Sequence, residues 1–115
     1  MLIFINQKTI KMFGAIKSLL GIGPKVDFSE LLKKDGIIVD VRTKGEYNGG
    51  NIKGSLNIPL DQLANSLGKL KDKNTPIITC CASGMRSANA KMILKSKGYT
   101  NVHNGGGWSN LRSKI

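Results

Sequence analysis

The chain has 115 residues, 40% of them hydrophobic, which suffices for one domain with a core of its own. Its two cysteines, Cys80 and Cys81, are neighbours that rarely reach disulfide geometry, so the composition points away from a disulfide framework and toward a reducing, cytoplasmic setting. The net charge of +11 invites a nucleic-acid reading, but the lysines are dispersed, aromatics make up 5%, and no nucleic-acid motif appears; nor does any apolar run approach the roughly 20 residues of a membrane span.

Residues 1–25 read as a basic arm in which "FGAIKSLLG" has the pattern of a short amphipathic helix. Lys8, Lys11 and Lys17 break its apolar stretch, and no export signal is read there. The domain proper is expected over 26–115. "DFSELLKKDG" predicts a short helix with Asp27 as its cap, Glu30 three residues on and Gly36 past its end. "IIVDV", residues 37–41, is the continuous β-branched run of a buried parallel strand. Further on, Asp61 is placed to cap a helix whose Leu63, Leu67 and Leu70 recur at helical spacing. "TPIITCC" is the next buried strand. The helix "SANAKMILKSKG" follows, with Ala90, Ile93 and Leu94 on one face, Lys91 and Lys95 on the other, and Gly98 as its stop. "TNVHN" predicts a short last strand, and "GGGWSNL" a turn into a terminal helical piece. Strands alternating with helices predict an α/β fold, a central parallel sheet with helices on both faces.

All seven carboxylates (Asp27, Glu30, Asp35, Asp40, Glu46, Asp61 and Asp72) precede Lys73, and only cations follow. That second half contains "TCCASGMRS", residues 79–87. Ligands of parallel sheets bind beyond the carboxyl ends of the strands, and Cys81 stands there, ahead of a loop and a helix expected to begin near Arg86 or Ser87. The amides of Ala82, Ser83, Gly84, Met85 and Arg86 would converge above the helix axis, where aligned N–H groups stabilise negative charge. Gly84 permits the tight curl this requires. A thiol in such a nest ionises below its usual value of about 8.5, which makes Cys81 the candidate nucleophile. Cys80 points to the other side of the strand and reads as packing. Arg86 reads as a ligand contact or loop brace, His103 as structural or surface, and Trp108 as a packing anchor. The residues call for no metal and no cofactor.

Two blocks carry a resemblance. "IIVDVRTKGEYNGGNIKGSLNIPL" is similar to the segment D-V-R-x-x-x-E-[YF]-x-x-G-H-I-x-G-[AS]-x-N-I-P, and "CASGMRSANAKMILKSKGYTNVHNGGG" to the active loop, helix and glycine-rich turn, of the single-domain rhodanese-like sulfurtransferases. The resemblance spans approximately residues 26–111. It implies a persulfide on Cys81, anion contact from the loop amides and Arg86, and supporting roles for Asp40, Arg42 and Ser87, with Glu46 also matching a position near the site. The implied function is transfer of a sulfane sulfur from a small anionic donor such as thiosulfate to a thiol or cyanide. The alternative is a persulfide carrier that passes sulfur between proteins of a sulfur pathway with little thiosulfate turnover. The chain departs from the family at Asn51, where histidine is usual, at Cys80, and in the placing of Trp108. A phosphatase loop is disfavoured because four residues, not five, separate Cys81 from Arg86, and no Asp follows to act as general acid.

Overall fold

The computed structural model describes residues 25–115; the arm and its helix candidate, at 1–24, lie outside the described residues. Helix α1 (Phe28–Lys33) starts as its sequence dictates, with the Asp27 carboxylate accepting from the Glu30 amide at 3.1 Å. It ends in a turn where Asp35 adopts a left-handed φ of 63° and the Gly36 amide returns to the Leu31 carbonyl at 2.9 Å. Strand β1 (Ile37–Asp40) follows directly.

The segment after β1 holds two elements that hydrophobic periodicity did not announce, helix α2 (Lys44–Asn48) and the two-residue strand β2 (Leu56–Asn57). Helix α2 is nucleated by a capping box: Thr43 Oγ1 accepts from the Glu46 amide at 3.2 Å, and Glu46 Oε1 accepts from the Thr43 amide at 3.1 Å. The helix expected from Asp61 through Leu70 divides into α3 (Leu60–Leu63) and a separate 3₁₀ turn (Leu67–Lys69). Asp61 is not its cap. Pro59 holds that position, and Asp61 lies within the first turn. The leucine spacing nevertheless reported burial correctly, because Leu63 and Leu70 are both buried. Strand β3 (Ile77–Cys81), helix α4 (Met85–Ser96), strand β4 (Val102–Gly107) and helix α5 (Trp108–Arg112) complete the chain. Thus α4 begins one residue before the expected start, and the last strand runs on through all three glycines.

The four strands form one parallel sheet in the order β2-β1-β3-β4. Alternate side chains enter opposite layers, as the pleat requires. Val39, Ile77 and Cys81 pack with Leu63, Ala90, Leu94 and Val102 on one face. Ile38, Ile78 and Cys80 pack with Leu111 and the partly buried Phe28, Leu31 and Trp108 on the other. The predicted α/β architecture, with helices on both faces of a parallel sheet, is therefore the one observed. Among the described residues no helix is long and apolar enough to cross a membrane.

Candidate functional site

The alternation of β3 separates the two thiols. Cys81 is the last residue of the strand, facing the first turn of α4, and Cys80 is sealed in the layer beneath. Burial, the largest influence on it, pushes the Cys80 thiol up to about 12, so it stays protonated. Burial acts on Cys81 in the same direction, but there the amides of Ser87, Gly84 and Ser83 outweigh it, and the net shift is downward. The Gly84 amide lies 2.9 Å and the Ser87 amide 3.3 Å from Cys81 Sγ, with Ser87 Oγ at 3.5 Å. Gly84 achieves this at φ 109°, a left-handed conformation that a side chain would strain. Ser87, completely buried, is fixed further by Thr79 Oγ1, which donates to its carbonyl at 2.8 Å.

Of the residues singled out in the loop, the structure brings the amides of Gly84 and Ser87 onto the sulfur. Met85 and Arg86 occupy the first turn of α4, where amides have no helical carbonyl partner. Those two amides, and that of Ala82, make no hydrogen bond to Cys81 Sγ among the described contacts.

Arg86 reaches sideways. Its two terminal nitrogens donate to Glu46 Oε1 at 2.7 Å and Oε2 at 3.0 Å, a fork-to-fork pair half open to solvent. Donation from Arg86 and then from the Thr43 amide lowers Glu46 to about 2. Glu46 is itself placed by the α2 capping box, so a local helix signal in the first half of the chain locates a cation in the second.

Asp40 and Arg42 underpin this arrangement without touching the thiol. Asp40, fully buried, accepts from Arg42 Nε at 3.0 Å and from Arg42 Nη2 at 2.7 Å. The same guanidinium donates to the carbonyls of Glu46 at 3.3 Å and Gly50 at 2.7 Å and stacks 4.5 Å from the Trp108 ring centre. One buried cation thus ties β1, the α2 segment and α5 together, and Trp108 is the packing anchor expected of it. Asn51, where the resembled family has histidine, donates to the Tyr47 carbonyl at 2.9 Å and stabilises the same segment. His103 contacts Asn101 at 2.6 Å and takes no part at the sulfur.

Asn104 was missed from the sequence: its Oδ1 lies 2.6 Å from Ser87 Oγ. The available signal was topological, since it lies on β4, the strand beside that of Cys81. Beside Arg86 a cleft of about 300 Å³ opens, lined by Val41, Thr43, Pro59, Leu60 and Asp61. A buried thiol with a depressed pKa and amides on its sulfur form an arrangement suited to nucleophilic attack on an anionic substrate.

Comparison with known proteins agrees with this geometry. The family described as rhodanese-like domain matches residues 25–114. Thiosulfate sulfurtransferase PspE of Escherichia coli is 35% identical over 74 residues, covering 64% of this chain and 71% of that protein. Among solved structures, a rhodanese with anions from E. coli superposes with a TM-score of 0.62 at 34% identity, over 65% of this chain and 89% of that one. The human single-domain sulfurtransferase TSTD1 gives 0.68 at 26% identity, over 81% and 98% respectively.

Proposed function

The chain belongs to the rhodanese-like domain family, and from that premise we propose that it moves a sulfane sulfur from an anionic donor such as thiosulfate to a thiol or cyanide through a persulfide on Cys81. The observation that carries this reading is the contrast within β3: Cys81 accepts the Gly84 and Ser87 amides on its sulfur, while Cys80 is held as a thiol in the core. The donor class is supported by two relatives, one called a thiosulfate sulfurtransferase and one solved as a rhodanese with anions.

In the first step the Cys81 thiolate attacks the outer sulfur of thiosulfate. The new Sγ–S bond forms as the S–S bond to the sulfonate breaks, and sulfite leaves with the electron pair. In the second, cyanide or a thiolate attacks that outer sulfur; the Sγ–S bond breaks, its pair returns to Cys81 Sγ, and thiocyanate or a new persulfide departs. The two displacements share one enzyme form, which gives ping-pong kinetics. The Ser83, Gly84 and Ser87 amides hold the negative charge on Sγ, while the first-turn amides of Met85 and Arg86, with Ala82, supply donors for the bound anion. Arg86, paired with Glu46, braces the rim, and Asp40 and Arg42 keep the segment that carries Glu46 in place. No cofactor enters either step, and the free thiols suit a reducing compartment such as the cytoplasm.

The carrier alternative draws on one observation. Met85 and Met92, seven residues apart and so on one side of α4, are 80% and 70% exposed, and exposed methionines on the helix that follows the loop suit a protein acceptor better than cyanide. Thiocyanate formation from thiosulfate and cyanide tests the main reading. Cys81→Ser is expected to abolish it, and turnover surviving that change overturns the assignment. Persulfide accepted from a protein donor, with negligible thiosulfate turnover, would select the carrier.

A further inference from the structure

Asn104 owes its position to an irregularity in the sheet. It pairs with Thr79, yet the next aligned pair is Cys81 with Gly107: β3 advances two residues while β4 advances three. The extra residue is a bulge of the kind that re-aims side chains beside active sites. Within it Gly106, at φ 77°, turns its amide back onto Asn104 Oδ1 at 2.9 Å. An amide donates, so the side-chain atom it meets is the carbonyl oxygen, and the orientation of Asn104 is fixed.

That oxygen can only accept. At 2.6 Å from Ser87 Oγ it takes the single hydroxyl proton, with the Gly84 carbonyl at 3.0 Å as the other acceptor in reach. With its proton engaged, Ser87 Oγ turns a lone pair toward Cys81 and accepts from the thiol at 3.5 Å. It can donate to the thiolate only by giving up Asn104, which leaves two lone-pair-bearing oxygens 2.6 Å apart.

We infer that Asn104 is a positioning residue: by holding the Ser87 proton it makes that hydroxyl an acceptor for the thiol and withholds it as a donor to the thiolate, and so sets how readily Cys81 ionises and how well it leaves from a persulfide. The consequence for sulfur transfer rests on Cys81 being the sulfur carrier; the effect on ionisation does not. The charged groups around the thiol are Arg86 on α4, Glu46 on α2, Asp61 on α3, and the Asp40–Arg42 pair at the end of β1. Lys91 and Lys95 on α4 act on His103 of β4, and none of these groups hydrogen-bonds to Ser87 or Asn104 among the described contacts. Asn104 therefore acts on the sulfur through Ser87 alone.

Asn104→Ala leaves the hydroxyl proton to be shared between the thiolate, which as an anion is the stronger acceptor, and the Gly84 carbonyl, and lowers the midpoint of Cys81 ionisation by up to about one pH unit, the size of effect that one hydrogen bond to the charged form produces. Nucleophilicity falls with basicity, so sulfur uptake by the fully ionised thiol slows about threefold, while discharge, in which Sγ leaves as thiolate, speeds up. A loosened loop would slow both.

The test is a titration of thiolate ultraviolet absorbance in wild type, Asn104→Ala, Ser87→Ala and the double variant. Cys80, at about 12, is silent over the range. A downward shift in Asn104→Ala that vanishes in the Ser87→Ala background is the expected result. No shift, or a shift that persists without Ser87, overturns the inference. Asn104→Asp keeps both acceptor contacts and adds charge, so its midpoint rises; a midpoint that stays or falls overturns the inference equally, should the alanine variant fold poorly. Because absorbance reads ionisation directly, a protein that shows this coupling but moves no sulfur would count against sulfur transfer and not against Asn104.

Discussion

Cys80 and Cys81 differ by one step along a strand, and that step decides which of them is chemically available. Alternation along β3 was legible in "TPIITCC", as was the strand-loop-helix setting that gives Cys81 its amides. The hydrogen-bond partner of Ser87 was not, because it comes from a bulge in another strand. Nor was the Arg86–Glu46 pair, in which a residue expected to meet substrate spends its fork on a carboxylate 40 positions away. Arg86 holds Glu46 well below the usual carboxylate range, so the rim does not titrate where the Cys81 thiol does. Cys81 is a thiol whose folded-state pKa is depressed, so its reactive form is present above that pKa and is lost as pH falls through it. The rate of sulfur uptake should thus rise along a single limb with a midpoint below about 8.5, the ordinary thiol value; stopped-flow loading across pH checks this, and a midpoint above that value contradicts it. The Arg42 guanidinium offers a second test at this scale. Arg42→Ala leaves the buried Asp40 carboxylate without its cation and should cost about 3–5 kcal/mol in denaturant unfolding, whereas a loss below about 1 kcal/mol would show the pair to be dispensable.

Elements that bury a long apolar face were readable, and those built by a few hydrogen bonds were not. Strands β1 and β3 announce themselves as β-branched runs, and α4 as a twelve-residue helix ending before Gly98. Helix α2 has only five residues and no buried one, so its signature is the Thr43 and Glu46 capping box and not a hydrophobic period. Leucine spacing misled in the opposite way after Pro59. A 3₁₀ turn places side chains at i and i+3 on one side as an α-turn does, so Leu63, Leu67 and Leu70 report a common buried side without requiring one continuous helix. The end of α1 supplies a prediction. Asp35 holds a left-handed φ of 63° immediately before Gly36. Asp35→Gly should raise stability by about 0.5–1 kcal/mol by removing that strain. The denaturant midpoint is expected to rise with an unchanged m-value, and a fall would mean that the Asp35 side chain contributes more than its backbone loses.

Across the whole molecule the charge is divided along the sequence and partly reunited in space. No carboxylate follows Asp72, and the thiol, its loop and α4 all belong to that cationic half. Folding then returns Glu46 to the rim, where it neutralises Arg86 directly, and Asp61 to the cleft beside it, which leaves the more distant lysines to set the field. The division was plain in the sequence; the return of Glu46 depends on how the sheet brings β1 beside β3 and was not. A field made by dispersed exposed lysines is screened within about 10 Å at 0.1 M salt. Raising the ionic strength should therefore increase KM for thiosulfate severalfold while leaving kcat unchanged, and a salt-independent KM would assign donor attraction to the amide nest alone. Whether Cys81 carries the transferred sulfur is read from the intact mass of the protein after incubation with thiosulfate and again after cyanide, for wild type, Cys81→Ser and Cys80→Ala. Wild type and Cys80→Ala should gain one sulfur atom that cyanide removes, and Cys81→Ser should gain none; a sulfur adduct that survives the loss of Cys81, or that forms only when Cys80 is present, would rule out Cys81 as the carrier.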